Sequence, residues 1–307
     1  MTAAGDRLIE FPTDRFLAAI ISVFRRGAGD PTMRAPRQWP GPWWLAWRTP
    51  AGPVTGRFTQ RGDRAVAVTA WGPGDEWLLE QAPVLLGDND DVSGFVPHHT
   101  VVAEAWRRFA GWRVPSSGLV VQALVPTVIE QKVTGKEAFA GYATLVRKHG
   151  TDAPGPGREL GLVVPPDAST WARIPSWEWL RASVDSARSD TVMRALVSPG
   201  RLEECGSIGL ASAHRRLRSV PGVGLWTAAE VAHRALGDAD AVSFGDYHVA
   251  KNIGYALTGQ EVDDDGLAEL LEPYAGHRYR VQRLLELAGL NRPRRGPRMA
   301  PRTHLPR

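Results

Sequence analysis

Asp246 opens the segment AVSFGDYHVAKNIGYALTG, in which Val249, Ile253 and Leu257 recur at helical spacing and should face a core. A carboxylate at a helix start has two uses. It can cap the helix, a role for which Asp is favoured and which needs no other purpose. It can also stay ionised beside a substrate, stabilise developing positive charge, and orient or deprotonate water. Gly224, 22 positions upstream, belongs to LRSVPGVGLWTAAEVAHRAL (217–236). There Pro221 ends one helix, Gly222 and Gly224 allow a tight turn, and Leu225 opens the next helix. Such a hairpin turns backbone N–H groups outward beside the positive end of a helix, which suits one phosphate and reads no base sequence. A plain connection between two helices would also explain Pro-Gly-x-Gly.

The two segments together resemble the helix-hairpin-helix DNA glycosylase superfamily, in which a Gly-rich hairpin precedes an essential Asp by some twenty residues. The bacterial 3-methyladenine DNA glycosylase II type is especially similar, through Pro221, Gly222, Val223, Gly224, Trp226, Thr227, Ala228, Asp246 and Tyr247. The likeness extends to LVPTVIEQKVTGKEAFAGYATLVRKHG (124–150), similar to the family's helix, Gln-containing turn and second helix. It also takes in LLGDNDDVSGF and a β-rich front half similar to the family's TBP-like domain.

The resemblance implies a monofunctional enzyme that hydrolyses the N-glycosidic bond of damaged, alkylated purine bases in double-stranded DNA. Asp246 would be its catalytic carboxylate, and Trp226 and Tyr247 would line the base pocket. Gln131, Lys132, Val133, Gly222, Val223, Gly224 and Thr227 would contact DNA. An indole face at Trp226 suits a cationic base such as a 3-alkyladenine or 7-alkylguanine, although helix packing explains a Trp equally well. A monovalent cation is implied on the backbone carbonyls of Arg218, Val220 and Val223, with no other cofactor required. Strand-cutting members of the superfamily carry Lys where this chain has Trp226, and that Lys forms a Schiff base with the opened sugar.

Two departures mark the chain. The family often places an apolar Leu after the turn's Gln, as a wedge filling the gap left by the extruded base; here Lys132 follows Gln131. Lys132 would then touch phosphate while Val133 or another residue wedges. The residue before the essential Asp is often another Asp, whereas here it is Gly245. Rival readings are a non-catalytic helix-hairpin-helix DNA-binding protein, a glycosylase for deaminated purines such as hypoxanthine, and an RNA-associated protein using a basic tail.

The elements that must position these residues divide the chain. Residues 7–12 begin as a strand, Thr13 or Asp14 should cap a helix through FLAAIISVFRR, and WWLAWRT, VTGRFTQ and RAVAVTAW alternate as strands between Pro/Gly turns. Trp43, Trp44 and Trp47 are read as sheet-face or core residues. The acidic stretch 87–95 is read as a linker or helix cap, since Asp88, Asp90 and Asp91 lack the later ligands of a calcium loop. From residue 100 the pattern is helical, including WEWLRASVDSARSDTVMRALV (177–197) as one run. The expected fold class is α+β: an N-terminal antiparallel sheet domain (1–99), an all-helical helix-hairpin-helix domain (100–290) and a mobile basic Pro/Arg-rich tail (291–307).

Composition sets outer limits. The chain has 307 residues, 43% hydrophobic and 23% charged, which suits two globular units rather than a fibrous or disordered protein. Lys and Arg number 37 against 33 acidic residues, a net charge of +4 that is compatible with a polyanionic partner but does not establish one. The single cysteine, Cys205, excludes an internal disulfide, a cysteine-ligated iron–sulfur cluster and a Cys-rich zinc site, and His233, His248 and His277 have no metal-ligand spacing. No apolar run reaches membrane-spanning length, and MTAAGDRLIEFPTDR lacks the order of a signal peptide. A monomer is expected, cytoplasmic and nucleoid-associated when bound to DNA.

Overall fold

The computed structural model describes residues 5–293; residues 1–4 and 294–307, which include most of the basic tail, lie outside them. The front half is built by β1 (Gly5–Glu10), α1 (Leu17–Ile21), β2 (Met33–Arg34), β3 (Trp43–Thr49), β4 (Gly52–Gln60), β5 (Ala65–Trp71) and α2 (Asp75–Leu85). The strands form one antiparallel sheet in the order β1-β5-β4-β3-β2. Its register pairs Trp47 with Val54 and Phe58 with Val68, so the alternation read from sequence puts Leu45, Trp47, Val54, Phe58, Val66 and Val68 into the core under α1 and α2. Trp44, on the other face, stacks on Trp71 at 5.7 Å with the Arg57 guanidinium beside both rings.

The helix after β1 is shorter than expected and lacks the cap assigned to it. It covers Leu17–Ile21 and tightens into a 3-10 turn at Ser22–Phe24. The Thr13 hydroxyl accepts instead from Arg15 (2.6 Å) and Arg113 (3.1 Å), Asp14 pairs with Arg64, and the Leu17 N–H donates to Gln60 Oε1 of β4 (3.0 Å). A long-range acceptor has replaced the local one.

Helices follow: α3 (Thr100–Arg108), α4 (Val120–Ile129) and α5 (Gly135–His149). A small hairpin, β6 (Thr151–Asp152) and β7 (Val163–Val164), encloses α6 (Pro156–Glu159). Then come α7 (Ala168–Arg173), α8 (Ser176–Arg181), α9 (Ser186–Ala195), α10 (Pro199–Glu203), α11 (Leu210–Arg218) and α12 (Leu225–Val231). The last three are α13 (Val249–Thr258), α14 (Asp264–Leu271) and α15 (Arg278–Leu287). The run 177–197, expected as one helix, is two: Ser183 has φ +61, and the Asp185 side chain accepts from the Arg188 N–H (3.0 Å) to start α9.

One core crosses the boundary expected near residue 100. It joins the sheet, α1 and α2 to Val102 and Ala105 of α3, and then to Ile253, Leu267, Leu271, Val281, Leu284 and Leu285 near the end of the chain. The second core is contiguous in sequence, from Val120 to Ala235. The first core therefore consists of two chain segments, with the second inserted between them.

Asp90 corrects the reading of the acidic stretch as linker or cap. Its carboxylate receives both terminal nitrogens of Arg280 (2.9 and 2.6 Å) and the Val114 N–H (2.9 Å). Both side chains of the pair are buried, with Arg280 0% exposed. The junction thus pins α15 across 190 residues of chain.

Candidate active site

Two turns lie side by side where α4 and α11 end. The hairpin turn runs from Ser219 to Gly224, with the Val223 N–H donating to the Val220 carbonyl (3.0 Å). The Arg194 side chain holds the Pro221 carbonyl at 3.1 Å. Gly222 has φ +99, and a Cβ on it would stand 2.2 Å from Thr191 Oγ1, so this glycine lets the turn press onto α9. Gly224 differs. Its φ is −91°, a Cβ there would meet nothing within 4 Å, and no side chain caps α12 behind it. The first amides of α12 are left for an outside acceptor.

The second turn joins α4 to α5 and is locked to the hairpin. Gln131 Nε2 donates to the Gly222 carbonyl (2.9 Å) and to the Thr227 hydroxyl (2.8 Å). Gln131 is thus a brace between turns. Thr227, expected at a DNA contact, is buried with its hydroxyl taken by that brace. Val133, expected as a wedge, packs against the second core. Thr134 and Glu137 form a reciprocal capping box at the start of α5, a signature (Thr-x-x-Glu) visible in the sequence and overlooked. Lys132 alone projects, exposed and with φ +56.

Asp246 divides its two oxygens between the backbone and Trp226. Its Oδ1 accepts the N–H groups of His248 (2.7 Å) and Val249 (3.2 Å) from two positions ahead of the α13 N-cap, His248, while Oδ2 accepts the Trp226 indole N–H at 3.3 Å. The carboxylate and the half-buried Trp226 therefore face one another across the hairpin helix and the next turn. Gly245, where a second acidic residue was the family's habit, has φ +84 and donates its N–H to Asp264 Oδ2 (2.8 Å). A second carboxylate is present near the turn, but it supports the backbone. Tyr247 is not brought to Trp226: it is 71% exposed, with Lys251 Nζ 4.2 Å above its ring.

A buried charged network behind the turn holds Asp246 in place. Glu230, on the inward side of α12, accepts from Ser243 Oγ (2.5 Å) and Arg234 Nη1 (2.5 Å). Ser243 in turn accepts the Asp246 N–H through its carbonyl (3.2 Å) and donates its own N–H to Gln282 (3.2 Å). Burial alone would raise the Glu230 pKa, but the Arg234 guanidinium overrides it and the group is held at about 2. Burial and the same guanidinium push His233 down to about 3, so it stays neutral, stacked on Tyr279 at 4.0 Å. α12 widens into a π turn at Ala232–Leu236 as it carries His233 and Arg234 inward. The sequence sign of this network was a Glu and an Arg on the apolar side of an amphipathic helix.

Among the described residues, no group of three His, Cys, Asp or Glu is placed to hold a metal ion, and no helix is long and apolar enough to cross a membrane. Cys205 is buried, its thiol pushed up by burial.

No protein-family model matches the chain, and no curated protein sequence does. Solved structures do. A 3-methyladenine DNA glycosylase from Archaeoglobus fulgidus superposes with a TM-score of 0.73 at 17% identity, over 91% of this chain and 97% of that one. The chain has the helix-hairpin-helix DNA glycosylase fold. The same α+β fold is shared with the 8-oxoguanine glycosylase/lyase of Clostridium acetobutylicum in its apo form, at a TM-score of 0.69 and 12% identity over 93% of this chain and 98% of that one. Its complex with double-stranded DNA containing cytosine opposite 8-oxoguanine gives a TM-score of 0.66 at 12% identity, over 91% and 96%.

Proposed function

We propose that this chain is a monofunctional DNA glycosylase that hydrolyses the N-glycosidic bond of damaged, alkylated purines in duplex DNA. The observation that carries the reading is the Asp246 carboxylate, 3.3 Å from the Trp226 indole nitrogen and directly beside a hairpin with an uncapped helix start. Extruding the base costs a few kcal/mol, least where the base is damaged. The hairpin amides hold one phosphate while this happens. Cleavage of the C1′–N bond sends its electron pair to the leaving base and leaves positive charge on the sugar. Asp246 stabilises that charge, and water adds to C1′ with loss of a proton. A cationic alkylated purine leaves as a neutral base and needs no general acid, and the ring of Trp226 favours it by cation–π attraction.

Backbone carbonyls of the hairpin suit the monovalent cation that the family resemblance implies. Those of Arg218 and Val223 receive no hydrogen bond from the described residues, and that of Val220 accepts one from Val223. A hard cation on these oxygens would add positive charge beside the phosphate.

Excision measured over a panel of duplexes with single lesions tests the proposal. Release of an alkylated purine with an intact abasic strand is the expected result; specific binding with no excision of any lesion would make the protein a DNA-binding module, and release of hypoxanthine alone would shift it to deaminated purines. Trp226 has no amine for a Schiff base, so borohydride added during turnover should trap no protein–DNA adduct. A robust adduct lost in Lys132→Ala would instead make the chain a lyase.

The phosphate role is tested at Gly224, where a side chain has room. Gly224→Asp should keep the circular dichroism spectrum while affinity for every duplex falls together by about tenfold or more, the size of a lost charge-assisted hydrogen bond. Loss confined to one sequence would show that the hairpin reads bases.

A further inference from the structure

The turn between α4 and α5 commits nearly all of its side chains to the protein. Glu130 pairs with the buried Arg26 at 2.6 Å, Gln131 is spent on Gly222 and Thr227, Val133 packs on the second core, and Thr134 caps α5. Lys132 makes no hydrogen bond or ion pair among the described residues, and it is exposed at the tip with φ +56. A non-glycine residue held in that region is strained, and the strain persists only because its neighbours are clamped on both sides. The clamp also ties the tip to the hairpin. Gln131, the residue before Lys132, bonds to Gly222 in the hairpin and to Thr227, the residue next to Trp226.

We propose that Lys132 reads the base left unpaired opposite the extruded one, and that it selects cytosine. This rests on the glycosylase reading above and narrows its substrate to guanine-derived lesions, such as a 7-alkylguanine. An ammonium group has three donors and no acceptor, and cannot fill a stacked gap as an apolar side chain would. It is satisfied by acceptors with no donor facing it. On the pairing edge of cytosine, N3 and O2 are adjacent acceptors. Guanine places N1–H beside its O6, adenine its amino group beside N1, and thymine its N3–H between two carbonyls. On that pairing edge cytosine is thus the one base that offers the ammonium two neighbouring acceptors, and guanine is its partner.

The test uses binding rather than excision, with the full chain and four duplexes that carry a tetrahydrofuran abasic analogue opposite C, T, A or G, beside an intact duplex. Wild type should bind the C duplex about tenfold more tightly than the G duplex, the scale of one charged hydrogen-bond contact to a base edge. Lys132→Ala should bring the four affinities to within about twofold of each other, and Lys132→Arg, still a cationic donor, should keep the preference. Equal wild-type affinities for all four would overturn the assignment of Lys132, as would a loss in Lys132→Ala that is the same on every duplex, which is the signature of a phosphate contact. If wild type binds abasic and intact duplexes alike, the glycosylase reading fails, and this inference with it.

Discussion

Replacing Asp246 with Asn should reduce single-turnover excision by about 10²–10³-fold while duplex binding persists, because the change removes one preorganised charge. The geometry spares the backbone. Oδ1 serves the amides of His248 and Val249, and an Asn carbonyl can accept the same two hydrogen bonds, so the start of α13 survives. What is lost on the side facing Trp226 is the charge and the acceptor of its indole N–H, because the Asn amide nitrogen there is a donor. Rapid quench of a single turnover on the preferred lesion is the measurement, with binding to an abasic duplex as the control. Excision at near wild-type rate would remove Asp246 from the chemistry and leave it an acceptor for the amides that lead into α13.

The second large effect is on stability. Asp90→Asn should lower the unfolding free energy by about 3–5 kcal/mol, the cost of stranding one charge of a buried pair. Arg280 has no exposed surface, and its guanidinium already lies near the rings of Phe95 and Trp112. Asn can still accept from the Val114 N–H and Arg280 Nη1 through one oxygen, so the loss reports the missing charge together with the acceptor of Arg280 Nη2. Urea unfolding followed by fluorescence measures it. Joint replacement of Asp90 and Arg280 by apolar residues of similar volume should recover much of the loss, since burying both charges was itself costly. An Asp90→Asn protein within about 1 kcal/mol of wild type, the range of an exposed pair, would show that water reaches it.

The hairpin and Asp246 were legible because both depend on local rules. Pro221 and the two glycines dictate a turn, and an Asp shortly before a helical stripe is set to accept the amides that lead into it, although the N-cap of α13 is His248. The sheet was legible for the same reason, since alternation in β3 to β5 already sorts Trp47 from Trp44. What escaped was direction. Whether Val133 or Lys132 points outward is decided by the bond from Gln131 to Gly222, 91 residues away, and no local pattern contains it. Thr227 was misjudged by the same bond. Asp90 and Arg280 illustrate the limit most plainly: each looks like an ordinary surface charge in its own segment, and only the fold makes them a pair. The break at Ser183 was readable in principle, because Asp185 is a good cap, but the helical spacing on either side concealed it.

The divided first core has a consequence for how the chain is made. Translation releases the sheet, α1, α2 and α3 well before Ile253, Leu267 and Leu284, which cover their apolar side. The inserted bundle between Val120 and Ala235 has all of its own partners by then and can condense first. The early strands must wait, with an unfinished core, until α13 to α15 emerge. Synthesis order and assembly order are therefore opposed, and in the interval between them the apolar side of the sheet lacks part of its cover.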